Sequence, residues 1–164
     1  MTREPLIDRR AFWLAVLAGG LTAGVLDILY AITFWHFNGR SPLWVLQSVA
    51  MGWFGRGSST MGWTSGAIGL ASHFGITIVA AALYGFAWRR VGWMRTHWIA
   101  CGLLFGVLVY LFMNYVVIPL SAAPFRTPLT LSTLSQGFVS HALLVGLPIA
   151  ACLRRLRDRP LSAS

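Results

Sequence analysis

The sequence predicts an all-α integral membrane protein, a four-helix bundle built from two pseudo-repeated transmembrane hairpins. Three observations carry that prediction. Only 10% of the 164 residues are charged and 57% are hydrophobic, with mean hydropathy +0.69, whereas a soluble domain carries about 25% charged residues. Four apolar runs reach the roughly 20 residues that cross a bilayer. The runs also repeat one another's wording in pairs. The whole chain, 1–164, reads as a single transmembrane domain.

The first run, near Ala11–Trp35, contains Asp27, the one acidic residue in any span. It opens with DRRAFWLAVLAGG, which has the look of a twin-arginine export signal. Its apolar stretch outlasts the roughly 7–15 residues of a signal core, so an uncleaved first helix is expected. The next segment, Pro42–Phe54 (PLWVLQSVAMGWF), is apolar but too short to cross. It predicts a short interfacial or re-entrant helix in the first periplasmic loop. Leu43, Leu46, Val49, Ala50 and Trp53 share its apolar face, and Gln47 and Ser48 interrupt it. The remaining runs lie near Gly66–Trp88, Trp98–Ile118 and Ser132–Leu153. Pro119, Pro124 and Pro128 are expected to end the third, because proline lacks an N–H and clashes with the preceding turn.

The formal net charge of +9 invites a nucleic-acid partner, but all thirteen basic residues are arginines lying outside the apolar runs. They mark orientation instead. Arg3, Arg9, Arg10, Arg89, Arg90, Arg95, Arg154, Arg155, Arg157 and Arg159 fall on one side; Arg40, Arg56 and Arg126 fall on the other. The positive-inside rule places both termini in the cytoplasm. Trp13, Trp88, Trp93 and Trp98 mark the inner boundary, and Trp35, Trp44, Trp53 and Trp63 the outer, as aromatic belts do. The lipid bilayer is thus the expected partner, and nucleic acid is not. Cys101 and Cys152, near span ends on the cytoplasmic side, are expected to be reduced thiols.

The repetition is specific. GLTAGVL (20–26) in span one is matched by GLLFGVL (102–108) in span three. GLASH (69–73) in span two is matched by GFVSH (137–141) in span four, and both of these spans close on a double arginine. Asp27 has Val109 as its counterpart. Helical spacing aligns Gly20, Gly24 and Asp27 on one face of span one. It aligns Gly66, Gly69, His73, Thr77 and Tyr84 in span two, and Gly102, Gly106, Tyr110 and Asn114 in span three. In span four it aligns Gly137, His141 and Pro148. Small residues let helices approach in lipid, so these faces are expected to point inward.

Counted at about 1.5 Å per residue from the cytoplasmic ends, Asp27, His73 and Asn114 lie roughly 22–24 Å up and His141 roughly 18 Å up. A buried polar site of Asp27, His73, Tyr110, Asn114 and His141 is therefore expected in the outer half, with Gln47 and Ser121 at its mouth or lid. Four readings of it stand open. The residues can bond the helices together. They can form a proton or ion relay, for which four helices are few and a homo-oligomer is implied. His73 and His141 can hold a haem, or with Asp27 a metal ion. They can also serve a membrane enzyme acting on a lipid or small apolar substrate. No phosphate-binding glycine loop, G-x-S-x-G elbow, H-E-x-x-H or cysteine-pair motif occurs in the chain.

Taken together, GGLTAGVLD, PLWVLQSVAMGWFG, GLASHF, MNYVVIPLSAAP and GLPIAACLRR resemble an uncharacterised family of small bacterial four-span membrane proteins. The resemblance covers about residues 11–155. More distantly the chain resembles the YagU-type inner-membrane proteins. It implies a bacterial cytoplasmic-membrane location and brings no established activity, cofactor or catalytic residue. From the arginine asymmetry, a C-terminal reporter that works only in the cytoplasm is expected to be active, and one that works only in the periplasm silent. The reverse result would invert the topology.

Overall fold

The computed structural model describes residues 8–128 and 130–156; Arg3, Arg157 and Arg159 of the arginine tally lie outside them. The described residues form helices and connecting turns, with no strand among them. In chain order these are α1 (Arg9–Phe37), α2 (Pro42–Phe54), a 3₁₀ turn (Gly55–Thr60), α3 (Trp63–Arg90), α4 (Gly92–Thr96), α5 (Trp98–Leu120) and α6 (Leu131–Arg154). Helices α1, α3, α5 and α6 are long and apolar enough to cross a membrane, as expected of a multi-pass membrane protein. Each of α1, α3 and α6 runs one to three residues past the expected span at both ends.

The starts follow from capping chemistry. Asp8 accepts from the backbone N–H groups of Arg10 and Ala11, 3.0 and 3.4 Å away. Ser41 Oγ accepts from Trp44 N at 3.1 Å, with Pro42 in the first turn of α2, where its missing N–H costs nothing. Thr130 and Thr133 cap the start of α6 reciprocally. Helix α2 ends, and α3 begins, at glycines with positive φ, Gly55 at 56° and Gly62 at 57°, a region unfavourable for other residues.

Proline 119 does not stop the third span. Residues Met113–Val117 widen into a π turn in which Ile118 N–H reaches Met113 O, and the helix continues through Pro119 to Leu120. The same arrangement recurs in α6, where Ala142–Gly146 form a π turn, Leu147 N–H reaches Ala142 O, and Pro148 follows. A wider turn accommodates the carbonyl that proline cannot pair. It also rotates the helix face. From the end of the turn onward the buried side of α6 is Val145, Gly146, Ile149, Ala150 and Leu153, so Pro148, placed on the inward face by α-helical spacing, is only half-buried.

Neighbouring spans run antiparallel, in the order α3–α1–α6–α5. A Cβ on Gly20 would meet Ile78 Cα at 2.7 Å, and one on Gly24 the Phe74 ring at 2.7 Å, so α1 and α3 approach closely there. Gly19 sits under the α6 backbone at Ile149. Helices α5 and α6 touch backbone to backbone, with Gly106 against His141 and Ala142 and Gly146 against Gly102 and Gly106. By contrast α3 and α5 meet through large side chains, with the Tyr84 and Phe105 rings 5.0 Å apart. One end of the bundle gathers Arg9, Arg10, Arg89, Arg90, Arg95, Arg154 and Arg155. Three of these guanidiniums lie over rings: Arg89 over Phe12, Arg95 over Trp88 and Arg154 over Trp98, at 4.9, 5.2 and 4.8 Å.

A contrast between two glycines tests this packing. Gly75 faces open space, so Gly75→Ala should be neutral or stabilise by up to about 1 kcal/mol through helix propensity. Gly106→Ala must push the α6 backbone away and should destabilise by about 1–3 kcal/mol. Reversible unfolding in bicelles measures both. Equal effects would mean that α5 and α6 do not touch here.

Candidate functional site

The two histidines of the repeated wording have different partners. His73, buried in α3, places Nε2 2.9 Å from Gly24 O of α1. A carbonyl only accepts, so Nε2 carries the proton and Nδ1 is left as the basic nitrogen of the neutral ring. The side chain reaches that carbonyl because Gly24 brings α1 against α3.

Asp27 lies three residues beyond Gly24 on α1. It is half-buried and makes no hydrogen bond or ion pair among the described residues. His141 sits where α6 enters its π turn. Its ring is 5.2 Å from the Tyr110 ring, and Nδ1 lies 3.3 Å from Ser140 Oγ. The Ser140 hydroxyl donates to Gly137 O at 3.2 Å. Its oxygen therefore accepts from His141 Nδ1–H, and Nε2 becomes the basic atom of the neutral ring. His141 interacts electrostatically with both Asp27 and His73. The charges of Asp27 on α1 and His73 on α3 thus both bear on His141 of α6.

Tyr110 flanks this group. Gly137 leaves room for its ring, and its hydroxyl donates to Thr133 O at 3.0 Å. Asn114 has partners of its own. Its Nδ2 donates to Tyr110 O at 2.9 Å, and its Oδ1 accepts from Thr127 Oγ1 at 2.5 Å, so it anchors the loop that follows α5.

Gln47 and Ser121 also have local partners. Gln47 Nε2 donates to Gly62 O at 3.0 Å, while Ser58 Oγ donates to Gln47 O at 2.8 Å and Ser65 Oγ to Ser58 O at 2.7 Å. With Ser58 and Ser65 fully buried, these bonds hold α2, the 3₁₀ turn and the start of α3 together. Ser121 Oγ donates to Ile118 O at 2.8 Å and accepts from Ala123 N at 3.2 Å, shaping the turn after α5.

Helix α2 comes close to the ionisable group through backbone and neighbours. Gly69 admits the carbonyl of Leu46. Trp53 Nε1 donates to Ser72 Oγ, next to His73, at 3.0 Å. Val45 and Leu46 pack on Ile28, next to Asp27. The far end reaches the turn after α5, where Ala122 N donates to Gly52 O at 3.1 Å.

The sequence reading missed Tyr30, Gln136 and Ser140. Gln136 Nε2 donates to Tyr30 Oη at 3.1 Å, joining α6 to α1. Helical spacing held the signal, since Tyr30 is three residues after Asp27 and Gln136 four before Ser140, each on its neighbour's face.

A metal set is not assembled, because no three His, Cys, Asp or Glu side chains among the described residues come together as ligands. No family model, curated protein or solved structure matches the chain. The α1–α6 contact has its own test. Tyr30→Phe and Gln136→Ala should show a coupling of about 0.6 kcal/mol in a double-mutant cycle, the average for interhelical bonds in a membrane. Zero coupling would separate the two helices at this level.

Proposed function

We propose that this chain is a bacterial inner-membrane protein that takes up and passes on a proton at a site formed by Asp27, His73 and His141. One observation carries the reading: Asp27, half-buried in α1 three residues beyond the Gly24 carbonyl that His73 holds, has no hydrogen bond or ion pair among the described residues to keep it in a purely structural role. A charge at the bilayer centre costs about 2.5–3.5 kcal/mol on insertion scales, whereas an interhelical hydrogen bond returns about 0.6 kcal/mol. A structural bond therefore accounts for His73, which has its carbonyl, and leaves Asp27 unexplained.

The chemistry is a shared proton. A neutral His141 offers Nε2 and a neutral His73 offers Nδ1, and Asp27 supplies the negative charge that favours a proton on His141. The π turn adjoining His141 supports the reading, since such turns recur at functional sites. In this arrangement both termini face the cytoplasm, the site lies in the outer half, and α2 is an interfacial lid at its mouth. The two hairpins descend from one duplicated unit, as the paired GLASH and GFVSH segments suggest.

The test is a double-mutant cycle read on proton movement in proteoliposomes carrying a trapped pH dye. Asp27→Asn and His141→Ala should each slow proton flux, and together slow it by clearly less than the product of the single effects. The interaction energy expected of coupled groups is about 0.5–3 kcal/mol. Unchanged flux in both variants, or independent effects, would leave the three residues as helix contacts alone.

A further inference from the structure

We propose that the arginine-rich half of the bundle binds a short file of water, anchored on Tyr84 Oη and Trp88 Nε1 and directed towards His73. Tyr84 and Trp88 are each 1% exposed. Among the described residues no group pairs with Tyr84 Oη or Trp88 Nε1. Both belong to the core cluster that includes Phe12, Cys101, Ile149 and Leu153, and Phe105 packs edge-on against Tyr84 at 5.0 Å.

A buried hydroxyl and a buried indole N–H both require a partner in an apolar interior. The partner has to accept from the indole, which only donates, and to pair with a phenol, which does both. It also has to fit between packed helices. Water meets all three conditions, making about two to four hydrogen bonds in such sites, whereas an acyl chain meets none of the polar ones.

The direction follows from α3. Tyr84 and Trp88 are four residues apart, on the same buried face as Thr77 and His73. Helical side chains lean towards the N-terminus of their helix, which for α3 is the end nearer His73. Thr77 and Tyr84 are separated by roughly 10 Å of helix axis at the α-helical rise, and the lean of the tyrosine shortens that gap. The residues between them on this face are Ala80 and Ala81, both buried, which carry only a methyl group each. The file rests on the proton-site reading for its purpose, because it would join that site to the arginine-rich face. Its existence stands apart from that reading.

The experiment uses the full chain in bicelles, labelled with ¹⁵N-tryptophan, the Trp88 indole resonance being assigned with Trp88→Phe. A cross-relaxation peak between that indole N–H and bound water is expected, weakened at least twofold in Tyr84→Phe. An indole that cross-relaxes only with protein or lipid protons overturns the proposal, as does a peak unchanged in Tyr84→Phe. If Tyr84→Phe fails to fold, the parent protein's peak decides the matter. Asp27→Asn should leave the peak intact, so failure of the proton site and failure of the water file give different results.

Discussion

In a hydrocarbon solvent the chain has to satisfy its own polar groups, and most of this structure follows from that requirement. His73 takes a backbone carbonyl of another helix, and Gly24 supplies the close approach that makes the carbonyl reachable. Gln47, Ser58 and Ser65 bond one another and the backbone where α2 folds back to α3. Asn114 pairs with its own helix and with the loop beyond it. Against this background the exceptions among the described residues stand out: Asp27, which has no hydrogen-bond partner there, and the polar tips of Tyr84, Trp88 and Tyr115.

Glycine makes the arrangement possible, by leaving space. The repeated wording shows how one residue type serves two ends. Gly69 of GLASH admits the backbone of α2, whereas Gly137 of GFVSH lies beneath the Tyr110 ring. The serines that precede the histidines differ as well: Ser72 accepts from Trp53, and Ser140 orients His141. Similar sequence thus gives similar helices with different neighbours, because each glycine meets whatever element the topology brings to it.

The spans and the short helix were legible in the sequence because hydropathy and length are properties of a segment alone. The boundaries of α2 coincide with Pro42–Phe54 because Ser41, Pro42 and Gly55 mark both ends chemically. The inward faces of α1, α3 and α5 followed from α-helical spacing. The face of α6 did not, because spacing rules assume a uniform turn and the π turn at Ala142–Gly146 breaks it. Asn114 was grouped with the site by depth, and Gln47 and Ser121 were placed at its mouth or lid, but neither depth nor position in a loop reveals the local partners that each of them has. Tyr30 and Gln136 carry no charge and drew no attention, although their spacing placed them beside Asp27 and Ser140.

The π turn in α6 has a further meaning for the length of the chain. A π turn holds one residue more than the α turn it replaces, so Ala142–Gly146 acts as a one-residue insertion absorbed inside a continuous helix. The segment before it presents Ser140 and His141; the segment after it presents Ile149, Ala150 and Leu153 to the core. Removing a single residue between them would restore regular winding and swing one half of α6 by about 100° against the other. Composition and hydropathy would hardly change, yet the upper and lower layers of the bundle would no longer face the same partners. In this helix the number of residues, as much as their identity, determines which side chains meet.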